Sequence, residues 1–193
     1  MVSLKEISWS LFGIYRIVRQ DRFALDYFNL SASGFYNSFW ALLLALPVFI
    51  IDNAIDYHFL SDLVSLPEFL LLLTLELYIS FGIFIVTIAA LARVFGYSDR
   101  FSIFIIVYNW LQLAVFLLWL PVSILTNGLL PPGAGNLVSL LFIGASYVLL
   151  WQIFRLTLNF SSGQALGFSF LEFLIAYMTQ LTLSGWYFSS SPV

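Results

Sequence analysis

The chain has 193 residues, of which 62% are hydrophobic and only 9% are charged. Its mean hydropathy of +1.00 is too high for a soluble domain, whose surface needs many more charged side chains. The net charge of -3 comes from 10 acidic and 7 basic residues without a basic run, which argues against nucleic acid as a partner. The chain contains no cysteine, so disulfides, thiolate metal sites and cysteine nucleophiles are excluded.

Residues 1–30 are predicted to form a cytoplasmic or interfacial amphipathic segment, with a helix over residues 3–19. Apolar residues recur at helical spacing and form one stripe, namely Leu4, Ile7, Leu11, Ile14, Tyr15 and Val18. Basic residues flank this stripe, as expected for a helix in the headgroup layer of an anionic membrane face. A helix packed beneath the membrane domain is an equally good and compatible interpretation.

Residues 31–193 are predicted to form a membrane domain of five spans, each near or above the length needed to cross ~30 Å of hydrocarbon. The spans cover about 35–51, 66–92, 101–126, 137–156 and 165–187. Pro47 is expected to kink the first span or end it early, and the span stops at Asp52. Gly96 is placed to end the second span in a left-handed conformation. The predicted fold class is therefore an all-α polytopic integral membrane protein.

The basic residues predict the orientation of the five spans. Successive connectors alternate sides, so every basic residue falls on the side of the N-terminus: Lys5, Arg16, Arg19, Arg22, Arg93, Arg100 and Arg155. By the positive-inside rule, the N-terminus is cytoplasmic and the C-terminus is external. We expect the first six of these residues to form a cytoplasmic basic face.

Three polar residues form a candidate cluster inside the membrane. Glu76 lies some ten residues into the second span, ~15 Å deep at 1.5 Å per residue, where a carboxylate costs several kcal/mol unless it is neutralised, paired or wetted. Asn109 and Gln112 share one face of the third span at similar depth. This layer indicates either a polar cavity or proton-linked pathway, or a packing cluster that holds adjacent helices together.

A second candidate is a structural ion pair between Arg155, near the inner end of the fourth span, and Glu172 in the fifth. Antiparallel neighbours joined by a short connector would bring the carboxylate within reach of the long arginine side chain.

An acidic loop follows the first span and contains Asp52, Asp56, His58 and Asp62. Solvation explains these residues better than metal binding, because no glycine-bearing ligand loop accompanies them. Ser146 in the fourth span lacks the intramembrane histidine that a serine nucleophile would need. Without a phosphate-binding or dinucleotide motif, the sequence predicts no enzyme, no metal and no cofactor.

Two short motifs resemble the Yip1-domain superfamily of five-helix membrane proteins. They are Arg93-Val-Phe-Gly-Tyr-Ser-Asp-Arg-Phe-Ser102 before the third span and Asn159-Phe-Ser-Ser-Gly-Gln-Ala-Leu166 before the fifth. Eukaryotic members are linked to small GTPases and membrane traffic, but their acidic-Leu-x-Gly-Pro motif is absent here, so that partner is not carried over. The compact loops resemble bacterial members, which implies the bacterial inner membrane with a periplasmic C-terminus.

Two functional hypotheses follow from the sequence. The first is a non-enzymatic interaction or membrane-organising component whose partners are the lipid bilayer, anionic headgroups and other membrane proteins. The second is a small transporter or channel subunit that uses the polar layer around Glu76.

Overall fold

The computed structural model describes residues 2–57 and 65–190, and every regular element within them is helical. A short 3₁₀ turn, Ala24–Tyr27, follows the first helix. The α-helices are α1 Leu4–Val18, α2 Ala32–Ser38, α3 Trp40–Asp56, α4 Leu66–Val94, α5 Ser98–Gly128, α6 Pro132–Leu158 and α7 Ser162–Ser190.

Five helical segments are long and apolar enough to cross a membrane, which confirms the predicted number among the described residues. The first, Ala32–Ile55, joins α2 and α3 through the near-helical Phe39. It is longer than predicted at both ends, because α3 continues through Pro47 and reaches Asp56. The expected early end at the proline is therefore wrong.

Helix α5 is the centre of the bundle. In its most apolar window 56% of residues are buried, against 6–22% in the other four spans. Phe104 to Leu111 are all buried, so α5 meets neighbours on every side. The surrounding helices point large apolar side chains outward, including Leu71, Val86 and Leu140. Large apolar side chains on the outer surface of a helix bundle are the arrangement that a lipid environment favours.

Two tight connectors bring helix ends together on one side of the bundle. Gly96 has φ +76 between α4 and α5, as predicted for a left-handed helix end. Asn159 adopts the same region, with φ 56, between α6 and α7. Ser161 and Gln164 then bond each other's backbone N–H groups with their side chains and start α7. The C-terminal ends of α4 and α6 therefore lie at the same end as the first turns of α5 and α7.

Helix α1 packs against this same end of the bundle, on α5 and α6. Its buried face carries Ile14 and Ile17, and Gly13 lies against the ring of Phe28. Glu6 accepts hydrogen bonds from Asn37 Nδ2 at 2.9 Å and from the Asn29 amide at 3.3 Å. Half of the predicted apolar stripe is therefore a packing face, with a carboxylate joining α1 to the first span.

We call this side of the bundle the basic end. The Arg100 Nη1 atom donates to the Thr157 carbonyl at 3.4 Å, which places the start of α5 beside the end of α6. The basic end carries the residues Lys5, Arg16, Arg19, Arg22, Arg93, Arg100 and Arg155. The opposite end of the described bundle carries Asp52 and Glu68 and no basic residue.

Candidate functional site

The candidate site is centred on Glu172, a partly buried carboxylate in α7. Its Oε2 accepts a hydrogen bond of 2.7 Å from the Tyr147 hydroxyl of α6. Its Oε1 accepts one of 3.1 Å from the Tyr108 hydroxyl of α5. One carboxylate therefore links three of the five spans, and both of its oxygens have a partner.

The register of the helices explains why these three residues meet. Glu172 lies about ten residues after the start of α7, Tyr108 about ten after the start of α5, and Tyr147 about eleven before the end of α6. All three helix ends lie at the basic end, so each side chain is ~15 Å from it at 1.5 Å per residue. That depth is about half of a ~30 Å hydrocarbon layer.

Two cavities flank the carboxylate. The smaller, about 130 Å³, extends toward α3 and α4, and the larger, about 330 Å³, extends along α5 and α6. Both are lined by Tyr108, Gln112, Phe116 and Glu172. Gln112 lies one helical turn after Tyr108 and presents its amide to the same space. We call Tyr108, Gln112, Phe116, Tyr147 and Glu172 the Glu172 cluster.

The larger cavity reaches toward the end opposite the basic end. Its wall includes Trp119, which lies about eleven residues further along α5 than Tyr108, a distance of ~16 Å. The Trp119 indole Nε1 donates a 2.8 Å hydrogen bond to Asp52 Oδ2. Asp52 is only 6% exposed, and its Oδ1 atom has no hydrogen-bond partner among the described residues. The prediction of a solvated Asp52 is therefore wrong, because α3 carries this residue into the bundle.

The predicted layer of Glu76, Asn109 and Gln112 is not joined by hydrogen bonds. Asn109 is fully buried, and its Nδ2 donates to Ser38 Oγ of α2 at 2.9 Å. Glu76 is half-buried and has no hydrogen bond or ion pair to any other described side chain. Only Gln112 belongs to the site. Asn109 ties α5 to the first span, which fits the packing interpretation.

The predicted ion pair between Arg155 and Glu172 is wrong. Arg155 lies about three residues from the end of α6, whereas Glu172 lies about ten residues inside α7. The difference leaves ~10 Å along the helix axes between them. Tyr147 occupies the position on α6 that faces Glu172, and the Arg155 guanidinium instead lies 4.8 Å from the centre of the Trp151 ring.

Arg155 contributes to a second, open cleft of about 400 Å³ at the basic end. Arg22 and Asp21, which follow α1, line its other side. Asp21 forms an ion pair with Arg16 and accepts a 3.1 Å hydrogen bond from the Phe23 backbone N–H. The Phe23 N–H, and after it Arg16, lower the pKa of Asp21 below its usual value. With Asp21 paired to Arg16, the remaining charge of the cleft is positive.

Among the described residues, no group of three His, Asp or Glu side chains comes together as a metal site. Within the acidic loop, His58, Asp62 and the side chain of Asp56 lie outside the described part of the chain.

Sequence reasoning missed the tyrosines of the Glu172 cluster. Tyr108 and Tyr147 were not singled out, although counting residues from the helix ends places both at the depth of Glu172. Pairing Glu172 with residues at the same depth in neighbouring spans, rather than with a residue of opposite charge, identifies both tyrosines.

Five helices that are long and apolar enough to cross a bilayer, three of them joined by a polar cluster, indicate a helical multi-pass membrane protein. Comparisons with protein-family models, with curated proteins and with solved structures find no match to this chain.

Proposed function

We propose that this protein is a non-enzymatic component that binds and organises an anionic membrane surface through its basic end. The observation that carries the proposal is the open cleft that Arg22 and Arg155 both line from separate elements of the chain. Neither arginine has an ion-pair partner among the described residues. Two guanidinium groups at the depth of the headgroups suit phosphate oxygens, which they bind with charge-assisted hydrogen bonds.

The outer face of α1 supports the same proposal. Leu4 is 82% exposed and Tyr15 is 53% exposed, and Phe12 lies beside them. Lys5 and Arg19 share this exposed surface. An apolar and basic surface next to the first span suits the boundary between headgroups and acyl chains. The proposed occupant of this surface is the membrane's own anionic lipid rather than a soluble partner.

The proposal includes an orientation and a location. The basic end faces the cytoplasm, in accordance with the positive-inside rule, and the C-terminus lies on the external side. The bacterial inner membrane and kinship to the Yip1-domain superfamily remain predictions from the two connector motifs around Gly96 and Gly163.

The test is a comparison of thermal unfolding in vesicles of phosphatidylcholine alone and with added phosphatidylglycerol. Anionic lipid should raise the Tm of the wild-type protein, because it binds the folded state. The double variant Arg22→Gln, Arg155→Gln should lose at least half of that rise. Inorganic phosphate added to phosphatidylcholine vesicles should not reproduce it, which separates a lipid headgroup from a free anion.

Arg93→Gln is the matched control, since Arg93 is exposed at the basic end but does not line the cleft. It should keep most of the Tm rise. If the double variant keeps the full rise, or if Arg93→Gln loses as much, the cleft is not the lipid site.

A second candidate function is a small transporter or channel subunit. What favours it is the position of Glu172 between two cavities, one of which extends toward Trp119 near the opposite end. The hydrogen bonds and cavities around Glu172 support that residue, rather than Glu76, as the centre of this candidate function. Intramembrane carboxylates commonly mark ion and substrate pathways.

Flux through purified protein in vesicles tests this second candidate. With a pH-sensitive dye inside, an imposed proton gradient should decay faster than in empty vesicles. Glu172→Gln should abolish the difference, whereas Glu76→Gln should leave it unchanged. Decay at the rate of empty vesicles in the wild-type protein would rule out a proton pathway.

A further inference from the structure

We infer that the cavities beside Glu172 form a binding site for a small organic ammonium ion. The inference deepens the second candidate function by naming its ligand class, and it rests on that function only for the location of the site. Because ligand binding and transport are measured in separate experiments, either proposal can be disproved without the other.

The charge of the site comes from one carboxylate. Among the described residues, neither cavity is lined by a lysine, an arginine or a histidine. Arg155, once expected to neutralise Glu172, lies at the basic end on Trp151. An ionised carboxylate at this depth costs several kcal/mol unless it is neutralised, paired or wetted. The two tyrosine hydroxyls satisfy its oxygens but carry no positive charge, and a bound cation would supply that charge.

The cavity walls indicate which kind of cation fits. Aromatic side chains line both cavities, including Phe81, Phe84 and Tyr108 in the smaller and Tyr108, Trp119 and Phe142 in the larger. The negative faces of aromatic rings attract ammonium groups, and several rings together bind quaternary ammonium ions.

A metal ion fits the same walls poorly. Hard cations such as Ca²⁺ take six to eight oxygen ligands, whereas the Glu172 cluster offers one carboxylate, one amide and two tyrosine hydroxyls. Both carboxylate oxygens already accept a tyrosine hydrogen bond. The negative charge of Glu172 is therefore shared with two tyrosine hydroxyls beside aromatic rings, which suits a large, weakly hydrated cation.

The size of the space favours a small ligand. The larger cavity, about 330 Å³, lies at the lower end of the ~300–1,000 Å³ typical of small-molecule sites. Gln112 and Ser146 add polar groups to its wall. The Ser146 hydroxyl donates to the Phe142 carbonyl at 3.0 Å, so its oxygen can accept a hydrogen bond from a polar substituent on the ligand. The site thus suits a substituted ammonium ion that carries one hydroxyl or amide group.

The test measures choline binding to the purified full chain in detergent by isothermal titration calorimetry. Choline should bind saturably, whereas dimethylbutanol, its neutral carbon isostere, should bind at least tenfold more weakly. Glu172→Gln should weaken choline binding at least tenfold, which corresponds to about 1.4 kcal/mol. Glu76→Gln is the matched control and should bind choline as the wild-type protein does.

A second variant decides the matter if Glu172→Gln does not fold. Phe142 packs on Trp119 at 5.1 Å between ring centres, in the wall of the larger cavity and away from the carboxylate. Phe142→Leu keeps an apolar wall but removes a ring face, so choline affinity should fall several-fold. Unchanged affinity in this variant would contradict the aromatic site.

Three results would overturn the inference: no saturable choline binding, equal binding of choline and its isostere, or equal losses in Glu172→Gln and Glu76→Gln. Choline binding without any flux would support the site and count against the transporter. Proton flux that needs Glu172, without choline binding, would support the transporter and count against this ligand class.

Discussion

Tyr147 and Glu172 face each other across the antiparallel helices α6 and α7, joined by a hydrogen bond of 2.7 Å. The pair lies where an ion pair between Arg155 and Glu172 was expected. A tyrosine hydroxyl satisfies the buried carboxylate without placing a second charge in the bundle. Because Glu172 bonds Tyr147 instead of Arg155, the positive charge of Arg155 stays at the basic end, and the cavities beside Glu172 contain no basic side chain among their described lining residues.

The bond between Tyr147 and Glu172 should be measurable as stability. Tyr147→Phe removes one of the two donors to the carboxylate, and we expect a loss of about 1–3 kcal/mol in the free energy of unfolding. Unfolding in mixed micelles, monitored by circular dichroism, measures the loss. Tyr177→Phe is the control, because Tyr177 on α7 is 45% exposed and makes no hydrogen bond among the described residues. Equal effects of the two variants would contradict the role of Tyr147.

The bond between Asn109 and Ser38 should behave as a coupled buried pair. Ser38→Ala leaves the Asn109 Nδ2 donor unsatisfied in a site with no exposed surface, at a cost of about 1–3 kcal/mol. Asn109→Leu in addition to Ser38→Ala should cost less than the sum of the single variants, because no unpaired donor remains. Additive losses in this double-mutant cycle would count against the bond.

Asp21 should make stability depend on pH. The folded pKa lies below the unfolded value near 3.8, so the stabilisation is fully present above that value and is lost as pH falls through the folded pKa. The wild-type protein should therefore exceed Asp21→Asn in stability at neutral pH, and the gap should close in acid. Chemical unfolding of both proteins over a pH series measures the gap. A gap that widens in acid would contradict the assignment.

Gly34 should tolerate no side chain. A Cβ atom there would lie 1.8 Å from the Asn29 carbonyl oxygen, which is backbone and cannot rotate away. Gly34→Ala should therefore shift the start of the first span and cost at least about 1–3 kcal/mol. Gly82→Ala in α4 is the control, since nothing lies within 4 Å of its new Cβ atom. A Ser31→Cys substitution is added to each variant, and the rate at which a thiol reagent labels it reports the shift.

The number of membrane-spanning helices followed from the sequence, because bilayer thickness sets the minimum length of an apolar span. The predicted second span, 66–92, differs from α4 Leu66–Val94 only at its end. The first span was less well predicted, since it was expected to stop at Asp52, whereas α3 continues to Asp56.

The candidate site was predicted less well, for a physical reason. Helices that are apolar on all sides carry no stripe that indicates which face points inward. Glu76 was therefore predicted to share a layer with Gln112, and Glu172 to pair with Arg155, whereas it is Glu172 that faces α5 and α6. Helix rotation depends on the shapes of all the neighbours, and the sequence of one span does not contain that information.

The bond between Glu6 and Asn37 has a consequence for the order in which the protein assembles. The chain emerges from the ribosome N-terminus first, so Asn29 and Asn37 are available to Glu6 before the first span is complete. Helices α5 and α6, on which α1 finally packs, are made much later. We therefore expect the two asparagines to hold α1 beside the first span early in synthesis, before the helices on which it finally packs are made.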